Sequence, residues 1–212
     1  MYRLINESSD AVLAELERIS DVPRYLELRR QLTHVNVATD LSFQLLYREY
    51  WRMNVASLGD DYYGRYFARM QSLRDEAIVD LDAALRELSV IPDRAGRSSL
   101  QFSFATKLLQ TIDPRAPVYD TSSAAFYFFV PPVADKSVAA RLDELLGFYG
   151  FLRDEYARVV HDGLLDVAVR RMRDRFRVGA ELPDERIVDL LIWSTVSLLR
   201  HGAQRRGQGL HR

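Results

Sequence analysis

The sequence predicts an all-α protein: a compact multi-helix domain of about ten helices with no substantial sheet. Three observations lead there. Apolar residues recur at three- and four-residue spacing along nearly the whole chain, and the runs are punctuated by Asp, Ser and Pro where helices start and stop. No segment alternates with period two over a useful length. The two short strand candidates, 88–91 and 117–119, are too small to change the class.

The elements follow in order. After Ser9-Asp10, a natural cap, Val12, Leu13, Leu16 and Ile19 share one helix face. Pro23 opens a second helix carrying Leu28 and Leu32. Thr39-Asp40 starts a longer one through Leu41, Leu45, Tyr50 and Met53, stopping near Gly59. Asp60-Asp61 begins the next, with Tyr63, Phe67, Met70 and Leu73. Ile78, Leu81, Leu85 and Leu88 mark another, closed by Pro92, and 93–99 is the most loop-like segment. A helix over Phe102–Ile112 ends at Asp113-Pro114, and 116–119 is extended. A small, very apolar helix over 121–130 ends at Pro131-Pro132. Val138, Leu142, Leu145, Tyr149, Leu152 and Tyr156 give a long amphipathic helix. Asp162-Gly163 breaks it before a helix over 164–176. Pro183 opens a last helix over 184–200, with acids early and Arg late as the helix dipole prefers. The organisation expected is one helical domain over 1–200, with a lobe junction near 93–99 as the alternative, and a flexible basic tail over 201–212.

The composition, 48% hydrophobic and 28% charged, belongs to an ordinary globular protein. A net charge of −1 argues against a surface that coats nucleic acid as a whole. With no cysteine there is no disulfide, thiolate metal site or cysteine nucleophile. The four histidines lack metal-ligand spacing, so no metal and no cofactor are expected. No apolar stretch has the length to span a bilayer, and the first residues lack the apolar core of a secretory signal, so a cytoplasmic protein is expected. Of the 29 basic residues only Lys107 and Lys136 are lysine. Arginine cannot replace lysine where a free amine is needed, which draws attention to both. Lys136 lies in a plain linker.

Lys107 lies in the one segment with a chemical reading, residues 103–125, SFATKLLQTIDPRAPVYDTSSAA. A helix carries Lys107, a Pro-containing turn follows, and Asp120 stands 13 residues after Lys107 at the start of a buried helix. Free N–H groups there favour an anion. A lysine and a carboxylate brought together make a candidate nucleophile and electrostatic stabiliser. The same residues also read as a plain N-cap and an ion-pair partner.

This segment, PVYDT above all, resembles the helix-hairpin-helix DNA glycosylase superfamily. The resemblance implies a glycosylase-like helical core. It implies Lys107 as the amine that attacks the deoxyribose C1′ of a flipped nucleotide, and Asp120 as the carboxylate that stabilises the developing positive charge. The sequence departs from the superfamily in lacking the glycine-rich hairpin before Lys107, where LQFSFAT stands, and in a shorter Lys–Asp spacing. The chain also resembles, over most of its length, an uncharacterised family of all-helical bacterial proteins that carry a similar K-L-L…P…Y-D signature.

Further candidates for nucleic-acid contact are Arg94, Arg97 and Ser98 in the loop before the lysine helix, Arg52 beside an aromatic cluster, and Tyr119. The run Arg170, Arg171, Arg173, Arg175 and Arg177 is the densest basic stretch, with acids interleaved. The tyrosine-rich stretch from Tyr47 to Phe67 reads as core at helical spacing or as a stacking platform. The reading expected is a DNA-binding or DNA-repair-like protein with DNA as partner through local basic patches. The alternative is a non-catalytic helical interaction module, of the sort used in phage defence or toxin–antitoxin pairs, with a protein partner or a homo-oligomer.

Overall fold

A computed structural model describes residues 1–20, 22–55, 58–76, 81–89 and 100–209. Eleven α-helices are present among them: α1 (Tyr2–Glu7), α2 (Ser9–Ile19), α3 (Val22–Leu32), α4 (Leu41–Tyr50), α5 (Asp60–Asp75), α6 (Leu81–Ser89), α7 (Phe102–Ile112), α8 (Thr121–Phe126), α9 (Val138–His161), α10 (Asp166–Phe176) and α11 (Asp184–Gly209). A 3₁₀ turn, Met53–Val55, follows α4. The described residues form no strand, so the protein is all-α. None of these helices is long and apolar enough to cross a membrane. The chain's contacts divide it into two units. One comprises Met1–Ser20, Tyr119–Pro131 and Phe148–Arg212; the other comprises Asp21–Val118 and Pro132–Gly147, with the boundary inside α9.

In the first unit α11 packs on α2, α8 and α10. Val12, Leu13 and Leu16 of α2 meet a core that includes Ile187 and Leu191 of α11 and Ala168 and Met172 of α10, all buried. Three helices end on a residue in the left-handed region followed by an amide that reaches back five residues. Gly163 (φ 63) ends α9, Arg177 (φ 53) ends α10 and Phe128 (φ 56) ends α8. Only Gly163 adopts this conformation without a Cβ penalty. Here the structure corrects the expected helix over 121–130. It ends at Phe126, because Phe129 N–H donates to Ala124 O and closes the last turn. At the other extreme, α11 continues to Gly209, through much of the expected tail.

Glu15, almost buried, accepts a two-pronged bond from Arg18 (2.8 and 2.7 Å) and further bonds from Ser197 and His201. The Arg18 guanidinium holds its carboxyl down at about 2, from an ordinary 4.5, against the opposing effect of burial; Ser197 adds to the lowering. Because folding lowers this group's proton affinity, its contribution is present above pH 4.5 and is lost as pH falls toward about 2. Glu15→Gln is therefore expected to destabilise the protein by about 1–3 kcal/mol at pH 7. The gap between variant and wild-type urea midpoints closes as pH falls through that window, and a gap constant with pH contradicts the assignment.

In the second unit α7 is the central helix, packed by α3, α5 and α6. Its Phe102, Ala105, Thr106, Leu108, Leu109, Gln110 and Thr111 are all buried. A helix buried on most of its circumference, polar Thr106, Gln110 and Thr111 included, lies in a core. The tyrosines surround it. Tyr47, Tyr62 and Tyr66 are fully buried, the Tyr47 and Tyr66 hydroxyls bond at 2.8 Å, and Tyr66 donates on to Phe104 O. Burial pushes Tyr47 and Tyr66 up out of the ordinary phenol range, so both stay neutral donors. The aromatic stretch is thus core, and its buried rings are closed to stacking on bases. The expected continuation of α4 through Met53 is also corrected. The helix stops at Tyr50, and Arg52 takes φ 54, which turns the chain out of the helical path.

Candidate functional site

The lysine helix forms as the sequence predicts, over Phe102–Ile112, and stops at Asp113, whose N–H still reaches Leu109 O. Asp113 Oδ1 then accepts Arg115 N–H at 3.0 Å, and the chain turns at Pro114. Lys107 and Asp120 fall in different units: Lys107 in the unit built on α7, Asp120 at the start of α8.

Lys107 is half-buried. Its ammonium donates to Trp51 O (3.3 Å) and lies over the rings of Phe104 (4.9 Å) and Trp51 (5.9 Å). Trp51 is the C-cap of α4, so this oxygen belongs to a helix end that the helix itself leaves without donors. A cation there meets both a carbonyl of the helix end and the negative end of the helix dipole. Two arginines of the same unit do the same. Arg29 donates to Thr111 O and Ile112 O at the end of α7. Arg74 donates to Leu32 O (2.8 Å) and Val35 O (2.7 Å) at the end of α3. Neither arginine stood out in the sequence, because each acts on a helix far from it along the chain.

Asp120 is the N-cap of α8. Its Oδ1 accepts Ser122 N–H and Ser123 N–H, each at 2.8 Å, while Ser123 Oγ accepts Asp120 N–H at 3.0 Å. This reciprocal pair is a capping box. The DTSS sequence builds it directly, since a short polar side chain before three small residues satisfies the first free amides of a helix.

The other candidates separate. Arg52 is exposed at the end of α4. On that helix Arg48 stacks over Tyr63 at 3.8 Å. Tyr119 is half-buried with its ring edge-on to Phe129 and Phe148, and burial pushes its hydroxyl up, with the Asp120 charge adding. Arg94, Arg97 and Ser98 lie outside the described residues. Within the basic run, Arg171 pairs with Asp10, Arg173 with Asp184 and Arg175 with Glu17, which neutralises most of that face. Among the described residues no cluster of His, Asp or Glu has the geometry to hold a metal ion.

One surface feature was not foreseen. The apolar run AAFYFFV was expected to be a buried helix, yet Phe128 is 82% exposed and Val130 79%. Phe128 borders a groove of about 420 Å³ in the first unit, lined also by Met1, Ala125, Phe126, Val196, Leu199 and Arg200. An unbroken apolar run carries no period, so it cannot say which of its residues face out. Compared with known proteins, the chain matches no family model, no curated sequence and no solved structure.

Proposed function

We propose that this chain is a non-catalytic helical interaction module. The observation that carries the reading is the setting of Lys107. A lyase lysine attacks as a free amine, which requires surroundings that disfavour its charge. Here the side-chain nitrogen is engaged by a carbonyl acceptor and two aromatic faces, and the residue does for α4 what Arg29 does for α7 and Arg74 for α3. Asp120 is engaged in the same kind of task, with one oxygen holding two amides of α8.

Borohydride trapping on duplexes with an abasic site or a damaged base tests this. The expected result is no covalent adduct that depends on Lys107, with wild type and Lys107→Arg alike. An adduct formed by the wild type and lost in Lys107→Arg overturns the reading and restores the glycosylase-like one.

A second reading, contact with DNA without chemistry, is favoured by the end of α4, where exposed Arg52, the stacked Arg48 and the Lys107 ammonium share a short stretch of chain and its partner helix. It requires binding that falls steeply with salt and weakens in Arg52→Ala.

A further inference from the structure

We propose that the end of α4 binds a single phosphate group, the phosphoryl end of a small ligand, through Arg48 and Arg52. This goes beyond the interaction-module reading. It shares its location, though not its ligand, with contact to DNA. The site is built around Arg48. Its guanidinium lies 3.8 Å from the centre of the Tyr63 ring. Tyr63 is buried and fixed, because its hydroxyl donates to Met53 O at 3.0 Å. A guanidinium held by one face keeps its in-plane N–H edge for an acceptor, and that edge matches two oxygens of a phosphate. Arg48 Nε is buried from solvent and has no acceptor among the described residues. Buried donors are nearly always satisfied, so one held in place without an acceptor marks a position where a partner belongs. The neighbouring Tyr62 hydroxyl repeats the pattern: the residue is fully buried, its ring lies 5.8 Å from that of Tyr63, and its oxygen has no partner among the described residues. Other arginines of the same unit are engaged by the protein. Arg24 pairs with Glu49, Arg69 with Glu76 and Arg74 with Asp75, and Arg29 serves the last carbonyls of α7.

Arg52 supplies the second cation. It directly follows the C-cap of α4 and is exposed. Its φ of 54 is a conformation that residues other than glycine adopt at a cost and that clusters where ligands are held. Lys107 already covers the carbonyl just before it, Trp51 O at 3.3 Å, so the negative end of α4 does not consume the Arg52 charge. Among the described residues no carboxylate lies within ion-pair distance of Arg48 or Arg52. Two guanidiniums one turn apart suit a dianion, which is close to the charge of a phosphate monoester at neutral pH. The surroundings limit the ligand's size. Asp60 and Asp61, exposed in the first turn of α5, directly precede Tyr62 and Tyr63. A polyanion running past the site meets those carboxylates, whereas a lone phosphate need not extend that far.

An NMR titration of the full chain with sodium phosphate at neutral pH, with ionic strength held constant by sodium chloride, tests the proposal. The Arg48 Nε–Hε signal is expected to move and saturate with a dissociation constant of about 1 mM. Arg48→Met and Arg52→Met, read from the backbone amides of residues 48–53, each raise that constant at least about 5-fold, since each loses a charge-assisted bond to the phosphate. Arg48→Lys keeps the charge but not the fork and raises it too. Arg115→Met, at an exposed arginine elsewhere in the unit, leaves it unchanged. Arg52 is exposed, so its variant keeps the circular dichroism spectrum of the wild type. No saturable shift up to about 20 mM phosphate, or a constant indifferent to both Arg48→Met and Arg52→Met, overturns the proposal. So does a single strand of about ten nucleotides that binds where inorganic phosphate does not, which assigns the site to nucleic acid. None of these outcomes touches the borohydride result, so a failure here is distinct from a failure of the interaction-module reading.

Discussion

Arg186→Met is expected to destabilise the protein by about 3–5 kcal/mol, the cost of leaving one half of a buried ion pair alone. Arg186 and Asp189 sit one turn apart on α11 with side chains only 4% and 9% exposed, and the guanidinium bonds directly to the carboxylate. Tyr156 donates to the same carboxylate at 3.1 Å, its own hydroxyl pushed well above the ordinary range by burial and by the Asp189 charge. Methionine fills most of the volume but removes the guanidinium charge that bonds the buried carboxylate. The fall in melting temperature should be on the order of 10 °C. Arg186→Met combined with Asp189→Asn should recover much of the loss. The amide keeps an acceptor for Tyr156 and carries no charge. A single variant within about 1 kcal/mol of wild type shows that the pair contributes little and contradicts this account.

The fold was legible where local chemistry sets the boundary. Helix α7 was placed at both ends, because Asp113-Pro114 stops it and an apolar face starts it. Helix α5 begins at Asp60-Asp61 as read. The misses have a common cause. Nothing local announces that Arg52 or Phe128 adopts the left-handed region, a conformation that glycine advertises and other residues do not, so α4 and α8 were both drawn too long. Helix α1 has six residues and too few apolar positions to show a period.

The candidate site divides in the same way. The capping role of Asp120 is readable from DTSS, because its partners are the next residues. The role of Lys107 is not, because the carbonyl it serves is Trp51, 56 residues away. Arg29 and Arg74 were invisible for that reason too, with acceptors 83 and 42 residues distant. A lysine that joins two helices far apart in sequence has the same sequence signature as one poised for chemistry, a basic residue in an apolar helix. The resemblance to glycosylases rests on PVYDT above all, with Lys107 as its other half.

Lys107→Met is the second large effect. The variant keeps the aliphatic stem and its packing and removes the charge. It loses a charge-assisted bond to Trp51 O and two cation–aromatic contacts, together about 1.5–3 kcal/mol. Lys107→Arg can still donate to the carbonyl and stack on the rings, so it should retain more than half of that. Residues kept for chemistry behave in the opposite way, since replacing them often leaves stability unchanged or raises it. The most direct test is a urea titration at pH 7 of wild type, Lys107→Arg and Lys107→Met. The account predicts stability falling in that order, with Lys107→Met lowest by at least about 1.5 kcal/mol. A Lys107→Met protein as stable as wild type, or more stable, contradicts it.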